Sequence, residues 1–316
     1  MRFFKNPKIQ MIAAFLGIVI AVGIVSGVAA QRPPHNRLTQ EAPSTSCLNT
    51  ERHFPQGTFY YWRIARNGPW VVRPVFASGD RLQRLEAFVA HSRARAAING
   101  GYFDPANGQT TSFVLEEGQP WQDPRNNKRL TDNPALKPYL PSIFNRSEFR
   151  LYACATGRRY DIAFHDAPAP EGCTLQAALG AGPQLAPDNT AQAEAFIAFD
   201  AAGKRTRDPL GVDRPNARSL IGITPQGDVI LGLFTQSPQP AASRGFTLTQ
   251  ASALMQEAGA ERVMALDGGG SSAAYYDGRY YYGKLNAKGQ VEKRALKSIL
   301  AVVSPDNALA SPAQAR

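Results

Sequence analysis

The chain has 316 residues, of which 43% are hydrophobic and 19% charged, and its formal net charge is +10. This composition is that of a globular protein, and it excludes a coiled coil, a collagen-like chain and a protein with several membrane spans. A basic chain attracts phosphates and anionic glycans, but the arginines and lysines are dispersed and follow no nucleic-acid-binding motif, so we expect no nucleic-acid partner.

The first thirty residues have the pattern of an export segment. Arg2, Lys5 and Lys8 precede an uncharged apolar run over residues 11–30, which ends in the small residues Val-Ala-Ala. This order of features is typical of a cleaved signal peptide. The alternative is a retained anchor, because a helix of this length just spans a bilayer core of about 30 Å. Both alternatives predict an exported protein that is periplasmic, extracellular or anchored facing outward, with no other membrane contact.

The rest of the chain divides into three parts. Residues 31–51 are rich in Pro, Ser, Thr and Asn and predict a flexible linker. Residues 52–304 predict a single α+β domain of mixed or antiparallel sheets with a few packed helices. Residues 305–316 are left as a C-terminal tail.

Most predicted elements of the domain are strands, separated by Gly and Pro turns. The strand candidates are 58–65, 71–76, 95–103, 149–154, 160–164, 175–179, 195–199, 219–224, 229–234, 262–266, 275–282 and 299–303. Helical spacing predicts one helix after an Asp80 cap and a second that begins at Thr247, with Gln250 completing a capping box, and ends at Gly259. Residues 104–148 are polar and show little periodicity, so we expect a lid or an insertion there.

Three cysteines are present: Cys47, Cys154 and Cys173. Cys154 and Cys173 flank a predicted strand pair, which favours a disulfide between them in an exported protein. Cys47 is left over in the linker. The spacings fit no zinc site, and we expect no metal centre and no cofactor, although Asp, Asn and Ser oxygens are compatible with a structural Ca²⁺ or Mg²⁺.

Three segments combine a strand end with small and polar residues, at 99–104, 214–219 and 266–272. Glycines at such a position leave the main chain open to a ligand, and consecutive amides form a cavity that binds anions. The glycines concerned are Gly100, Gly101, Gly268, Gly269 and Gly270. A tight turn is the structural alternative, and it is weakest for the triple glycine.

Charged and polar side chains in these segments are the candidate functional groups. Asp267 at a strand end is placed to act as a base or nucleophile, and Ser271 and Ser272 add hydroxyl donors. Asn99 and Asp104 have a similar placement, with backbone tethering and a turn as their structural alternatives. His165 beside Asp166 is a poor acid–base pair, because adjacent residues of a strand face opposite ways.

Arg218 begins an apolar strand and is the candidate anion-binding side chain of the second segment. A guanidinium group recognises phosphate or carboxylate through two parallel hydrogen bonds. A surface salt bridge is the alternative for this arginine.

The motifs AINGGYFD, NARSLIGI and LDGGGSSAAYY, in this order, together resemble the phosphodiester glycosidase family. The unit GFTLTQASALMQEAGAERVMALDGGGSS resembles the helix, strand and glycine loop of that family, and the similarity extends over roughly residues 58–303. The resemblance implies a hydrolase that cleaves between a sugar C1 and a phosphodiester oxygen, in a substrate such as a GlcNAc-1-phosphodiester of envelope or extracellular glycans.

The resemblance also implies roles for the candidate residues. Asp267 is the base or nucleophile, Asp104 its partner, and Asn99 positions sugar hydroxyls. Arg218 binds the phosphate, and the amides of the triple glycine with Ser271 complete the anion site. Two other functions are compatible with the sequence: a non-catalytic glycan-binding protein on the same fold, and a metal-dependent phosphodiesterase that cleaves the P–O bond.

Overall fold

The computed structural model describes residues 48–238 and 244–308, and within them eighteen strands and five short α-helices form. The strands are β1 (Leu48–Phe54), β2 (Gly57–Ile64), β3 (Val71–Phe76), β4 (Ala96–Asn99), β5 (Val114–Glu116), β6 (Gln119–Gln122), β7 (Ser147–Cys154), β8 (Gly157–Phe164), β9 (Cys173–Gly180), β10 (Gln184–Ala186), β11 (Ala198–Phe199), β12 (Arg205–Arg207), β13 (Arg218–Ile223), β14 (Val229–Phe234), β15 (Arg262–Ala265), β16 (Ala273–Tyr276), β17 (Arg279–Tyr282) and β18 (Ser298–Val303). The α-helices are α1 (Leu85–Ser92), α2 (Lys128–Thr131), α3 (Leu140–Phe144), α4 (Leu248–Glu257) and α5 (Pro305–Ala308).

Two antiparallel sheets bury the main core between them. The six-stranded sheet has the order β1-β2-β14-β13-β15-β10, and the first five-stranded sheet has the order β17-β16-β4-β18-β3. Side chains of a strand alternate between faces. Ile221 of β13 and Leu300 of β18 therefore belong to the core between the sheets, whereas Leu220 packs with α4 and Ile299 with α1. The result is an α+β domain in which α4 and α1 cover the outer faces of these two sheets.

A second five-stranded sheet, in the order β6-β5-β9-β7-β8, adds Phe149, Ile162 and Leu179 to the same core. Part of it comes from residues 104–148, which the sequence analysis left as a lid or insertion. That stretch contains β5, β6, α2 and α3, and β5 pairs with β9. Periodicity fails here because the elements are three to five residues long, too short to show a repeat.

Several predicted elements are confirmed. The hairpin of β13 and β14 forms around residues 224–228, and α4 begins with the predicted capping box between Thr247 and Gln250. The predicted strand over 195–199 is reduced to β11, Ala198–Phe199. Strand β1 begins at Leu48, inside the segment predicted to be a linker. These residues form a strand because they pair with residues 57–63 of β2.

The predicted Asp80 cap of the first helix is wrong. Helix α1 begins at Leu85, and its N-cap is Arg84, which makes no side-chain capping bond. The preceding Gln83 pairs with Leu296 in an isolated β-bridge, so the chain is extended up to the helix. The spacing of Leu85, Phe88 and Val89 was sufficient to predict the helix but not its first residue.

The predicted disulfide between Cys154 and Cys173 is present, and it joins residues that are paired partners on β7 and β9. Cys47 and the export segment lie outside the described residues. None of the helices in the described part of the chain has the length and hydrophobicity needed to cross a bilayer.

We expect Cys154→Ser to lower the free energy of unfolding by about 3 kcal/mol, the contribution of closing a loop of this length. The measurement is denaturant unfolding of the variant and the wild type, each with and without reductant. Reductant should bring the wild type to the level of the variant and leave the variant unchanged. An equal difference between the two proteins in reductant would show that the serine acts by packing and not by loss of the bond.

Candidate active site

The structure brings the three motif segments together where β4, β13 and β15 end or begin. Backbone hydrogen bonds fix the segments to one another, so their relative positions do not depend on side chains alone. These bonds run from Asp267 N to Gly100 O (3.0 Å), from Leu266 N to Ser219 O (2.9 Å) and from Gly269 N to Ala217 O (2.9 Å).

Asn99 is fully buried, and its amide links all three segments. Its Nδ2 donates to the Asp267 carbonyl at 2.6 Å, and its Oδ1 accepts from Ser219 Oγ at 2.6 Å and from the Ala273 amide at 3.1 Å. The side chain thus fixes the backbone of Asp267. In this arrangement Asn99 is a positioning residue. Both acceptor sites of its Oδ1 are used, and one of its two Nδ2 hydrogens is left for the sugar contact that the resemblance implies.

Gly100 and Gly101 are required by packing. A Cβ on Gly100 would lie 2.4 Å from Ser298 Oγ, and one on Gly101 would lie 2.2 Å from the Gly180 carbonyl. Both amides already donate to Ser298, to its carbonyl and hydroxyl oxygens respectively. These two glycines therefore allow close packing of strands, and their amides are not open to a ligand.

Asp267 lies half-buried in a cavity of about 210 Å³. Burial raises the pKa of its carboxyl from 3.8 to about 6, against the opposing effects of a Ser271 hydrogen bond, the Arg294 charge and the Gly268 amide. The cavity is lined by Tyr102, Pro209, Leu210, Asn216, Arg218, Leu248, Leu266, Asp267, Gly268, Gly269, Gly270 and Arg294. A carboxyl that titrates close to neutral pH within a cavity is suited to proton transfer or nucleophilic attack.

The triple glycine offers one open amide to a ligand. The Gly268 amide bonds the Asp267 carboxyl and the Gly269 amide bonds the Ala217 carbonyl, whereas the Gly270 amide has no partner among residues 48–238 and 244–308. Gly269 has a φ of +59°, which explains the need for glycine there. The Ser272 hydroxyl is buried without a partner among the described residues. The Ser271 hydroxyl is also fully buried, and it contacts the Asp267 carboxyl and Arg294.

Arg218 lines the cavity, but its guanidinium group is already bonded to backbone carbonyls. Four of its donor contacts go to the carbonyls of Leu210, Gly211, Arg214 and Phe246, at 2.7–3.1 Å. The side chain is only 4% exposed, and burial lowers its pKa. Arg218 therefore holds the loop over residues 210–214 against the site. The guanidinium donors expected to bind phosphate are already bonded to these carbonyls.

Asp104 does not line the cavity. Its Oδ1 accepts from the Ala106 amide at 2.8 Å, and its Oδ2 accepts from Arg129 Nε at 2.8 Å. Both oxygens therefore stabilise a turn and an ion pair. The structure does not bring Asp104 and Asp267 into one cavity as the partners that the resemblance implies.

Glu292 and Arg294 lie beside the triple glycine, and neither was predicted from the sequence. A Cβ on Gly270 would lie 3.3 Å from Glu292 Oε2 and 3.6 Å from Arg294 Cδ. The Arg294 guanidinium lies 4.9 Å from the centre of the Phe103 ring, and its NH1 is 3.4 Å from Ser271 Oγ. Both residues precede β18 in an irregular stretch without a motif, so only the surplus of charge there could have indicated them.

The three tyrosines of the motif segments and His165 have different surroundings. Tyr102 lines the cavity and donates to the carbonyls of Gly182 and Leu266, and burial together with the Asp267 charge raises its pKa. Tyr275 and Tyr276 pack against the hydrophobic cores. The partner of His165 is Glu148, at 2.6 Å, and not the adjacent Asp166. Within the described ranges, no three His, Cys, Asp or Glu side chains are grouped as metal ligands would be.

Comparison with solved structures shows the same fold in proteins of low sequence identity. The zebrafish N-acetylglucosamine-1-phosphodiester α-N-acetylglucosaminidase catalytic domain, auto-inhibited by its pro-peptide, is 15% identical with a TM-score of 0.58, and 82% of each chain is covered. A protein from Burkholderia pseudomallei K96243 described as exported is 14% identical with a TM-score of 0.55, covering 78% of this chain and 74% of that one.

A hypothetical protein from Synechocystis is 16% identical with a TM-score of 0.50, covering 80% of this chain and 61% of its own. Comparison with curated protein sequences gives no match. The sequence pattern of the phosphodiester glycosidase family, however, matches residues 92–303, which include all three motif segments and the cavity residues. The chain therefore belongs to the phosphodiester glycosidase family.

Proposed function

We propose that this protein hydrolyses the bond between a sugar C1 and the oxygen of a phosphodiester, in a substrate such as a GlcNAc-1-phosphodiester. The observation that carries the proposal is the cavity that places the Asp267 carboxyl, of pKa about 6, beside Arg294, Ser271 and the open amide of Gly270. A carboxylate next to a cluster of anion-binding donors matches a sugar carbon bonded to a phosphate.

The chemistry makes modest demands on this site. A phosphodiester leaves as a weakly basic anion, so the enzyme does not need a strong acid to protonate the leaving oxygen. It needs a carboxylate at the positively charged C1 and donors at the phosphate, where charge develops. In the proposed reaction C1 gains the oxygen of water, the C1–O bond breaks, and the phosphate departs as a monoester that keeps the bridging oxygen.

We propose a role for each residue of the cavity. At neutral pH the Asp267 carboxyl is mostly ionised and acts at C1 as the base or nucleophile. In this proposal Arg294 and the Gly270 amide bind the phosphate, and the buried Ser271 hydroxyl holds the Asp267 carboxyl in place. Glu292 lies beside Gly270, outside the residues that line the cavity. Asn99 and Arg218 hold the backbone of the site in place.

We propose that the protein acts outside the cytoplasm, on envelope or extracellular glycans. The Cys154–Cys173 disulfide supports this location, because disulfides persist in oxidising compartments. The basic, then apolar, N-terminal sequence supports it as well.

The test is to incubate the purified full-length protein with a GlcNAc-α-1-phosphodiester in ¹⁸O-water and to measure the sugar and phosphate products. We expect free GlcNAc and a phosphate monoester that carries no ¹⁸O, with activity that persists in EDTA. GlcNAc-1-phosphate as the product would instead assign P–O cleavage, and loss of activity in EDTA would assign a metal-dependent phosphodiesterase. Binding without either product would indicate a glycan-binding protein.

A further inference from the structure

Trp121 of β6 is an exposed aromatic residue in a protein whose large aromatic side chains are mostly buried. It is 40% exposed, whereas Trp62 is completely buried. Its indole packs against the Phe76 ring, with ring centres 5.5 Å apart and ring planes tilted by 41°. An indole that is packed on one ring and remains partly exposed offers aromatic surface to a ligand.

Trp121 lines a second cavity, of about 200 Å³, that shares no lining residue with the Asp267 cavity. Its lining residues are Gly79, Asp80, Gln109, Thr110, Trp121, Gln122, Asp123, Asn126 and Asn127. The side-chain amides of Gln122 and Asn126 make no hydrogen bond within the described parts of the chain, so they are free to bond a ligand. The Asp80 carboxylate makes no hydrogen bond there either, but it interacts with the charge of the buried Lys297.

The chemistry of this lining selects one class of ligand. No lysine or arginine lines the cavity, and Asp123 is paired with Arg125. A phosphate would find no cation there, and a purely apolar ligand would leave amides unpaired. A neutral pyranose fits both the indole and the polar groups of the lining. Its C–H face packs on an indole, while its hydroxyls bond amide and carboxylate oxygens.

A short path links the two cavities. Thr110, which lines the Trp121 cavity, pairs with Phe103 in an isolated β-bridge. The Phe103 ring in turn lies under the guanidinium of Arg294 in the Asp267 cavity. A chain of contacts through Thr110, Phe103 and Arg294 therefore connects the linings of the two cavities.

We propose that the Trp121 cavity binds a neutral sugar unit of an oligosaccharide or polysaccharide substrate, beyond the bond that is cleaved. The role of this subsite in hydrolysis rests on the proposed function, but sugar binding itself does not. The proposal gives residues 119–127, part of the polar stretch without periodicity, a specific function.

The experiment is isothermal calorimetry with neutral oligosaccharides, carried out in the Asp267→Asn background so that no ligand is consumed. The panel contains β-1,4-GlcNAc, β-1,4-glucose, α-1,4-glucose and α-1,6-mannose trisaccharides. We expect at least one to bind, with an affinity that falls at least about 10-fold in Trp121→Ala and is partly recovered in Trp121→Phe. Absence of binding by all four would overturn the proposal, whatever the protein hydrolyses.

Two controls separate binding from folding. Tyr280 is 39% exposed and lies on β17 outside the cavity, so Tyr280→Ala should leave the affinity unchanged. Asn126 is exposed on the cavity wall, and Asn126→Ala should weaken binding without removing the indole packing on Phe76. Equal losses in Tyr280→Ala and Trp121→Ala, or none in either cavity variant, would assign the binding to another surface.

Discussion

Asp267→Asn is expected to reduce kcat/KM for a GlcNAc-1-phosphodiester by about 10³-fold, the contribution of a positioned catalytic carboxyl. Asn has the same shape but can neither accept a proton nor attack C1. The surrounding bonds from Ser271 and the Gly268 amide can still be made to the amide oxygen. The variant should therefore fold and still bind, and the measurement is steady-state kinetics together with thermal unfolding.

Asp104→Asn is the matched control, because it makes the same chemical change at a carboxylate outside the cavity. It weakens an ion pair with Arg129 that is largely exposed on the arginine side, so we expect less than about a 3-fold change in kcat/KM. If Asp104→Asn instead removed activity and Asp267→Asn did not, Asp104 would be the catalytic carboxylate, and the closed turn seen here would have to open in the complex.

The raised pKa of Asp267 gives this prediction a pH dependence. As the pH rises through about 6 the carboxylate forms, so kcat/KM should rise and then level off. The free energy of unfolding changes with pH in the opposite direction. Between pH 3.8 and about 6 the unfolded chain loses this proton first, which lowers the stability of the wild type as the pH rises. Asp267→Asn should therefore gain thermal stability relative to wild type across that range.

Local sequence signals were sufficient for part of the fold and part of the site. The capping box at Thr247, the hairpin turn at residues 224–228 and the disulfide depend on neighbouring residues, and all three are present. Asp267 was predictable because a strand followed by three glycines places a carboxylate beside open backbone. The short strands β5 and β6 were not predictable, because their position is set by pairing with β9, far along the chain.

The arginines show why the rest of the site could not be predicted. Arg218 stands in a motif and Arg294 does not, yet the guanidinium of Arg218 is bonded to carbonyls of residues 210–246. Whether an arginine is free depends on which carbonyls the fold brings near it, and this is decided by tertiary contacts. Asn99 is similar: its three partners come from 120 to 174 residues away.

Arg294→Ala is expected to lower kcat/KM for a GlcNAc-1-phosphodiester about 30- to 100-fold, equal to the loss of one charge-assisted hydrogen bond of about 2–3 kcal/mol. A phosphate-free aryl GlcNAc glycoside should lose less than about 3-fold, because it presents no anion to the guanidinium. Arg294 also lowers the pKa of Asp267. Its removal should therefore move the acidic limb of the pH profile to higher pH for both substrates.

Arg218→Lys is the contrasting variant, because Arg218 supports the loop and its guanidinium donors are already bonded to backbone carbonyls. A lysine cannot reach four carbonyls at once, so we expect a lower melting temperature and similar losses on both substrates. A loss of kcat/KM on the phosphodiester alone in Arg218→Lys, with no such loss in Arg294→Ala, would show that Arg218 binds the phosphate. That result would contradict the assignment of this role to Arg294. Selectivity confined to Arg294→Ala would place the phosphate beside Arg294 and Gly270, as proposed.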